Sequence, residues 1–393
     1  MAIQIQLRRG TASQWTSANP TLAAGEIGTE TDTGRFKIGN ATTAWNSLPY
    51  AQQVGAQYGL FHKLDFTSVA FTKTGAGTAQ VKAGTRVDVD GTLVSFAVAT
   101  SITMPTLTAG TDYFIYATTA GAAQAVAATG TWPTPVASPP ANSQLIGGFH
   151  YAPGGNASAR AGGNTTAGIN EFSMWDLKFR PAAADPRGMT LVSNTFWSDI
   201  YFCNRDPQTL GTSRNAQAIA DGETGGTTTA IIPTAFGGNG STRYPSWNWW
   251  NAAEALAAFG KRHPTYQQFA ALAFGATEAV SRGNDPVTTG LGTTNAGSAQ
   301  ADQVFTSKWG VIQATGVEWV WGADFGGGAA AASWTANTES RGSTYQMENA
   351  AIFGGTWYDS ALSGSRSSIW GNSPTASVNF IGARGVCDHL RLV

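Results

Sequence analysis

The sequence predicts a mainly β protein with an α+β C-terminal part, and three observations carry that expectation. Of 393 residues only 12% are charged, while glycine reaches 48 and tryptophan 14, a mixture that suits compact sheets and long polar loops better than exposed charged helices. Apolar and polar side chains alternate with period two in short runs before about residue 151, as in half-buried strands. The best helix signals are two short stretches past residue 246. A chain of this length exceeds one ordinary hydrophobic core, so two or three domains are expected.

Taken in order, Ile3, Ile5 and Leu7 alternate with Gln4, Gln6 and Arg8 and predict a first strand. Short extended pieces follow at Asn19-Pro20, Ala24 to Gly28, Thr33 to Gly39 and Ala44 to Leu48, separated by glycine and proline turns. About 50 residues of this kind bury few apolar groups within one chain, which predicts a core shared between copies. From Phe61 to Tyr151 the strands expected are residues 79–84, 86–91, 92–98, 112–117 and 145–150, with turn spacing that suits a sandwich or small barrel. Pro133, Pro135, Pro139 and Pro140 predict a surface loop, and residues 152–164 a flexible loop or linker.

Past Glu171 tryptophans become frequent. Residues 247–260 place Trp250, Ala253, Glu254, Ala257 and Ala258 at helical spacing and stop at Gly260. Residues 265–275 begin at Thr265, an N-cap type of residue, and end at Gly275. Strands are expected at Val317 to Trp321 and Ala351 to Phe353. The rest is rich in Gly, Ser, Thr, Asn and Trp, and long loops of that kind usually carry function.

The formal net charge is -1, which supplies no basic field for a nucleic-acid backbone. No signal-peptide apolar region and no run of about 18 apolar residues occurs, so a soluble protein, not embedded in a membrane, is expected. His62, His150, His263 and His389 lack metal-ligand spacing. Cys387 and His389 are two apart on an expected strand and so share a face, leaving a nucleophilic pair to weigh against a structural C-terminal strand. Glu318, Asp324, Glu339 and Glu348 flank the Trp-rich strands and leave open a structural Ca²⁺ or Mg²⁺. The glycine-rich pieces lack the ending of a phosphate loop. Arg341, Arg366 and Arg384 lie in a charge-poor region, where buried arginines cross-link irregular backbone. Residues 356–379 mix bulky anchors with Tyr, Ser and Asn, as antibody loops do.

The run Phe353 to Trp357, Leu362 to Arg366, Trp370 and Gly382 to Leu390 resembles the major tropism determinants, phage receptor-binding proteins whose variable region is rewritten by a diversity-generating retroelement. The resemblance extends through Ile146 to Pro153, Trp175-Asp176, Lys178 to Pro181, Asp185 to Leu191, Gly260 to Arg262 and Phe305 to Gly310. Leu7 to Thr11, Gly25-Glu26, Phe36 to Gly39 and Trp45 are similar to the short β repeat at the front of phage tail-fibre proteins.

That resemblance implies a homotrimer with a β-prism trimerisation segment (1–52), a β-sandwich (53–170) and a C-type-lectin fold (171–393) of the kind shared with formylglycine-generating enzymes. It places a variable, ligand-binding face at 356–381, with diversified positions Thr356, Tyr358, Asp359, Ser360, Leu362, Ile369, Gly371, Asn372, Ala376, Val378 and Ile381. Trp357, Arg366, Trp370, Arg384 and Gly385 are the implied scaffold. It further implies no catalysis and no cofactor, a bacterial surface receptor of protein or glycan, other phage tail proteins as neighbours, and a place at the tail-fibre tip of the virion, released with the particle if a prophage encodes it. Two other readings remain: a structural tail or baseplate protein with a fixed interface, and an oxidase on the same fold. The oxidase would need neighbouring reactive cysteines, and the chain has only Cys203 and Cys387.

Overall fold

A computed structural model describes residues 8–51, 60–154, 163–222, 227–291, 302–329, 334–336, 341 and 343–392. The chain divides into two compact units, Met1–Leu60 and Phe61–Val393. In the first, β1 (Arg8–Gly10) runs parallel to β2 (Ile27–Glu30), which pairs antiparallel with β3 (Phe36–Ile38). Residues 3–7 of the expected first strand lie outside the described residues. Between β1 and β2 sits α1 (Ala12–Ala18), in a stretch for which the sequence pattern predicts no element. Its signal is the capping box, in which the Thr11 hydroxyl accepts from the Gln14 N–H and the Gln14 side chain accepts from the Thr11 N–H. Trp15 and Trp45 stack at 4.1 Å over buried Leu22. Gly28 is required there, because a Cβ would lie 2.5 Å from the Trp45 ring.

The second unit opens with β4 (Phe61–His62), β5 (Phe71–Lys73), β6 (Ala79–Val81), β7 (Thr85–Val89), β8 (Thr92–Phe96), β9 (Thr100–Thr103), β10 (Thr111–Thr118), β11 (Ala123–Ala127) and β12 (Ser143–Ala152). All five expected strands are present. Alternation fails to reveal β11, Ala-Gln-Ala-Val-Ala, because alanine gives little apolar contrast. A small sheet in the order β4, β7, β8 packs through Val87, Val94 and Phe96 against Val81, Ile115 and Phe149 of a larger sheet. The proline loop is only partly a surface loop, since Pro135 and Val136 are buried. Arg187 steadies its start by donating to the carbonyls of Ala128 at 3.0 Å and Gly130 at 2.5 Å. Most of 152–164 lies outside the described residues.

The larger sheet does not stop at the sandwich. From β12 it continues through β13 (Gly168–Ile169) as a branch and β14 (Trp175–Asp176), β15 (Phe179–Pro181), β16 (Met189–Val192) and β17 (Phe196–Asp199). The last strand of the chain, Val386–Arg391, inserts between β15 and β17. A C-terminal strand held on both sides in a core is what the structural reading of Cys387 and His389 required.

Helices α2 (Pro207–Leu210), α3 (Trp249–Ala257) and α4 (Tyr266–Leu272) follow. The two expected helices are α3, capped by the Asn248 side chain, and α4, with Thr265 in a capping box. A second sheet holds β18 (Trp319–Ala329), β21 (Glu348–Phe353), β22 (Ser368–Asn372) and β23 (Ile381–Gly382) in the order β22, β21, β18, β23, beside the hairpin of β19 (Trp334–Ala336) and β20 (Ser343–Tyr345). The last strand named above is β24. Trp247, Trp321, Leu256, Ile352 and Ile381 pack between this sheet and α3, while Phe269, Leu272, Phe305 and Phe353 pack beneath α4.

Candidate functional site

The segment from Gly354 to Ile381 begins at the end of β21 and finishes in β23, on the other side of the same sheet. Thr356 bridges to Val317 in parallel, a 3₁₀ turn follows at Ser360–Leu362, β22 forms one edge of the sheet, and residues 373–380 cross to β23. Polar side chains within the segment hold it in place. Asp359 accepts from the Thr356 N–H at 2.8 Å, Ser365 donates to Glu278 at 2.6 Å, and the Ser377 hydroxyl accepts from the Trp247 N–H at 2.8 Å. Asn379 donates to Asp285 at 3.1 Å, and the Gly222 N–H donates to the Val378 carbonyl at 3.1 Å.

Three of its apolar side chains point the other way. Leu362 is 75% exposed, Tyr358 54% and Ile369 41%. Ser360 and Gly371 are also exposed, and a Cβ on Gly371 would meet nothing within 4 Å. Asp359, Asn372, Ala376 and Val378 are half-buried. Two implied display positions are buried. Thr356 is fully buried beneath the Val317 carbonyl, and Ile381 is 1% exposed among the side chains of Trp319 and Trp321. Neither has surface to present. Phe380, absent from the implied set, is half-buried, packing on the Trp319 and Trp321 cluster on one side and meeting Tyr358 edge on.

Four of the five implied scaffold residues sit against the body of the protein. Buried Arg384 donates to the carbonyls of Asp199 at 3.0 Å, Ile200 at 2.7 Å, Ile312 at 2.8 Å and Gln313 at 3.2 Å, with its guanidinium 4.6 Å from the Phe202 ring centre. Burial holds its pKa down to about 9, against the opposing pull of Asp199 and Glu318. A Cβ on Gly385 would come within 2.8 Å of the Asp199 carboxylate. The Trp357 carbonyl accepts from Gly283 N–H and the Ser281 hydroxyl, and Trp370 packs on Tyr266. Arg366 is the exception: its side chain is exposed, and its carbonyl accepts from the Tyr266 hydroxyl at 2.9 Å. Arg341 is a surface residue paired with Glu254 at 2.5 Å.

Among the described residues no three His, Cys, Asp or Glu side chains converge as a metal ion would require. Asp324 accepts from the Tyr266 N–H at 2.6 Å and Glu348 is exposed, while Glu339 lies outside the described residues. Glu318 is 1% exposed, and neither of its carboxylate oxygens has a hydrogen-bond partner among the described residues. Burial, then Asp221 and Asp285, push its pKa well up, with Arg205 and Arg384 opposing.

Cys387 and His389 do not act on each other. The thiol lies against the Met189 sulfur at 4.0 Å and burial raises its pKa. The His389 Nδ1 accepts from the Trp197 indole at 2.9 Å, and burial holds the ring's pKa down to about 4. Cys203 is fully buried with its pKa also raised by burial. Neither thiol is poised as a thiolate. No helix among the described residues is long and apolar enough to cross a membrane.

Comparison with known proteins places this architecture. A family model described as the major tropism determinant N-terminal domain matches residues 5–43, and one described as the Mtd second domain matches 69–176. The chain is 48% identical over 392 residues to the tail fiber receptor-binding protein of Bordetella phage BPP-1, covering 100% of both chains. The solved U1 variant of the major tropism determinant superposes with a TM-score of 0.81 at 47% identity, and the I1 variant with 0.81 at 48%, each over 99% of this chain and 100% of the other. Those structures have a C-type-lectin fold, which this chain shares within its mainly β architecture. With identity of this order from end to end, the chain belongs to the major tropism determinant family.

Proposed function

We propose that the protein is the receptor-binding protein at the tip of a phage tail fibre, and that it recognises a host surface molecule through residues 358–380 without chemistry. The relative's role in receptor binding supports this. The observation that carries it is the division of labour within one segment: the polar side chains of Asp359, Ser377 and Asn379 are engaged inward as clamps while Tyr358, Leu362 and Ile369 project outward. Projecting apolar groups around the single exposed basic side chain of the stretch, Arg366, suit an apolar patch on a protein better than a hydroxyl-rich glycan. The implied division at residues 52 and 170, assembly as a homotrimer and attachment to other tail proteins belong to this reading. Three copies at each tip would raise weak single contacts to firm attachment through effective concentration.

The test is binding of fluorescently labelled full-length protein to cells of the strain on which the phage plates. Leu362→Ala with Ile369→Ala is expected to lower cell binding at least about tenfold with the melting temperature unchanged, as loss of central interface anchors does. Binding that survives those changes overturns the reading and favours a structural tail or baseplate protein whose fixed interface lies elsewhere.

A further inference from the structure

A concave site lies away from the proposed recognition segment. A cleft of about 480 Å³ opens where the region matched by the second-domain family model meets the C-terminal part of the chain. Its lining includes Val69, Met174 and Leu191, together with the rings of Phe172, Phe179 and Trp309, and none of it comes from residues 354–381. Its volume falls within the roughly 300–1,000 Å³ of small-molecule sites, which favour seams between domains.

The walls are fixed. Phe172 meets Trp309 edge on at 5.0 Å, and the Trp309 indole N–H donates to the Ala271 carbonyl at 2.8 Å. Asn170 caps the 3₁₀ turn that carries Glu171 and Phe172. Opposite, Ser193 and Asn194 form the turn between β16 and β17, both in the left-handed region with φ of 49° and 58°. The Asn194 carbonyl is anchored by Arg391 at 2.8 Å.

The polar lining indicates the ligand. Glu171, Ser193 and Asn194 are exposed, and their side chains form no hydrogen bond or ion pair with any described residue. Glu171 is the one charged residue in the lining. Lys82, which donates to the lining Ser68 hydroxyl at 2.8 Å, and Lys308, 5.2 Å from the Trp309 ring centre, offset that carboxylate, so the cleft favours neither an anion nor a cation, and a purely aliphatic ligand would leave the carboxylate, hydroxyl and amide unmatched. A pyranose combines an apolar C–H face with hydroxyl donors and acceptors at its edge, which corresponds to an apolar floor with a polar rim.

We propose that this cleft binds a short neutral saccharide of one or two pyranose units. The site would be constant while the variable face changes. It would give the particle a weak, sequence-independent hold on a glycan-coated cell before the variable face engages its own partner, and several copies would add those holds together. The proposal does not depend on what the variable face binds.

The experiment is saturation-transfer NMR on the full-length protein with methyl glycosides of glucose, galactose, mannose and N-acetylglucosamine at millimolar concentration. At least one glycoside is expected to receive saturation. The double variant Glu171→Ala with Asn194→Ala is expected to weaken that binding at least about tenfold, since two polar contacts are removed, with the melting temperature unchanged. Leu362→Ala is expected to leave it untouched, so failure here is distinguishable from failure of the receptor-binding reading. Absence of transfer from all four glycosides, or transfer that persists in the double variant, overturns the proposal. So does protection of the cleft by a second copy, read as slow maleimide labelling of Asn194→Cys in the assembled protein; Cys203 and Cys387 are buried and give no competing signal.

Discussion

The rings of Tyr358 and Phe380 meet edge on, with centroids 5.9 Å apart, and this contact joins two distant stretches of one segment. Tyr358 follows the Thr356 bridge to Val317, and Phe380 precedes β23. The pair therefore spans the sheet ends that carry the proposed recognition face.

Truncating Tyr358 tests whether that pair recognises or merely stabilises. An aromatic contact of this kind contributes about 1 kcal/mol beyond its buried area, and Tyr358 is more than half exposed. Tyr358→Ala is expected to lower the melting temperature by only a few degrees while reducing host-cell binding at least about tenfold. A large loss of stability with binding retained per folded molecule would assign the pair to the scaffold.

Glycines 371 and 385 make opposite predictions. Gly371 has open space where a side chain would grow, whereas Gly385 is hemmed by the Asp199 carboxylate at 2.8 Å, Lys261 at 2.9 Å and Leu256 at 3.1 Å. Gly371→Tyr is expected to leave stability within about 0.5 kcal/mol and to change which host strains are bound. Gly385→Ala is expected to cost about 2 kcal/mol or more, because the ion pair of Lys261 with Asp199 must shift. Thermal melts of both variants, with strain-binding profiles for the first, check the contrast.

Arg384 is the strongest single tie beneath the face. Arg384→Ala removes a donor from four buried carbonyls; those of Asp199 and Ile200 keep the Ser198 hydroxyl and the Ile312 N–H, while those of Ile312 and Gln313 lose the guanidinium, at about 1–3 kcal/mol each when unmatched. The variant is expected to be insoluble or to melt far below the parent. Arg384→Lys retains a charge and three donors but lacks the planar fork, so an intermediate melting temperature is expected. Equal melting of the parent and Arg384→Ala would remove Arg384 from the scaffold.

Sequence patterns revealed these features unevenly. The strands with Val and Phe alternation and the two capped helices were legible because local chemistry specifies them. β11 was not, since alanine and glutamine alternate with little apolar contrast. The face was legible as a stretch, through its composition and its family resemblance. Its individual positions were not, because whether Thr356 or Ile381 points outward depends on the long-range pairing with Val317 and β18. Phe380 is not legible for the converse reason: it packs on the core cluster and also meets Tyr358, and only the long-range placement of the two residues shows the second contact.

Two buried titratable groups give stability opposite pH slopes. His263 is buried, its Nε2 lies 3.2 Å from the Trp249 carbonyl, and burial holds its folded pKa down to about 4 against 6.5 unfolded. Its contribution is complete above about pH 6.5 and is lost as pH falls toward 4, amounting to about 3 kcal/mol. Glu318 runs the other way. Its folded pKa is raised well above the unfolded 4.5, so its contribution is complete below about pH 4.5 and is lost as pH rises through the folded value. At neutral and higher pH the folded protein must keep either a proton on Glu318 or an unpartnered buried carboxylate, and both are unfavourable. Glu318→Gln is therefore expected to raise the melting temperature at pH 7 to 9, with the gain shrinking toward pH 4. His263→Gln is expected to flatten the acid limb between pH 4 and 6.5 without changing the alkaline one. Melting curves across pH 4 to 9 for the parent and both variants check the signs, and a lower melting temperature for Glu318→Gln at pH 8 would mean that the Glu318 carboxylate is ionised and stabilising where it lies.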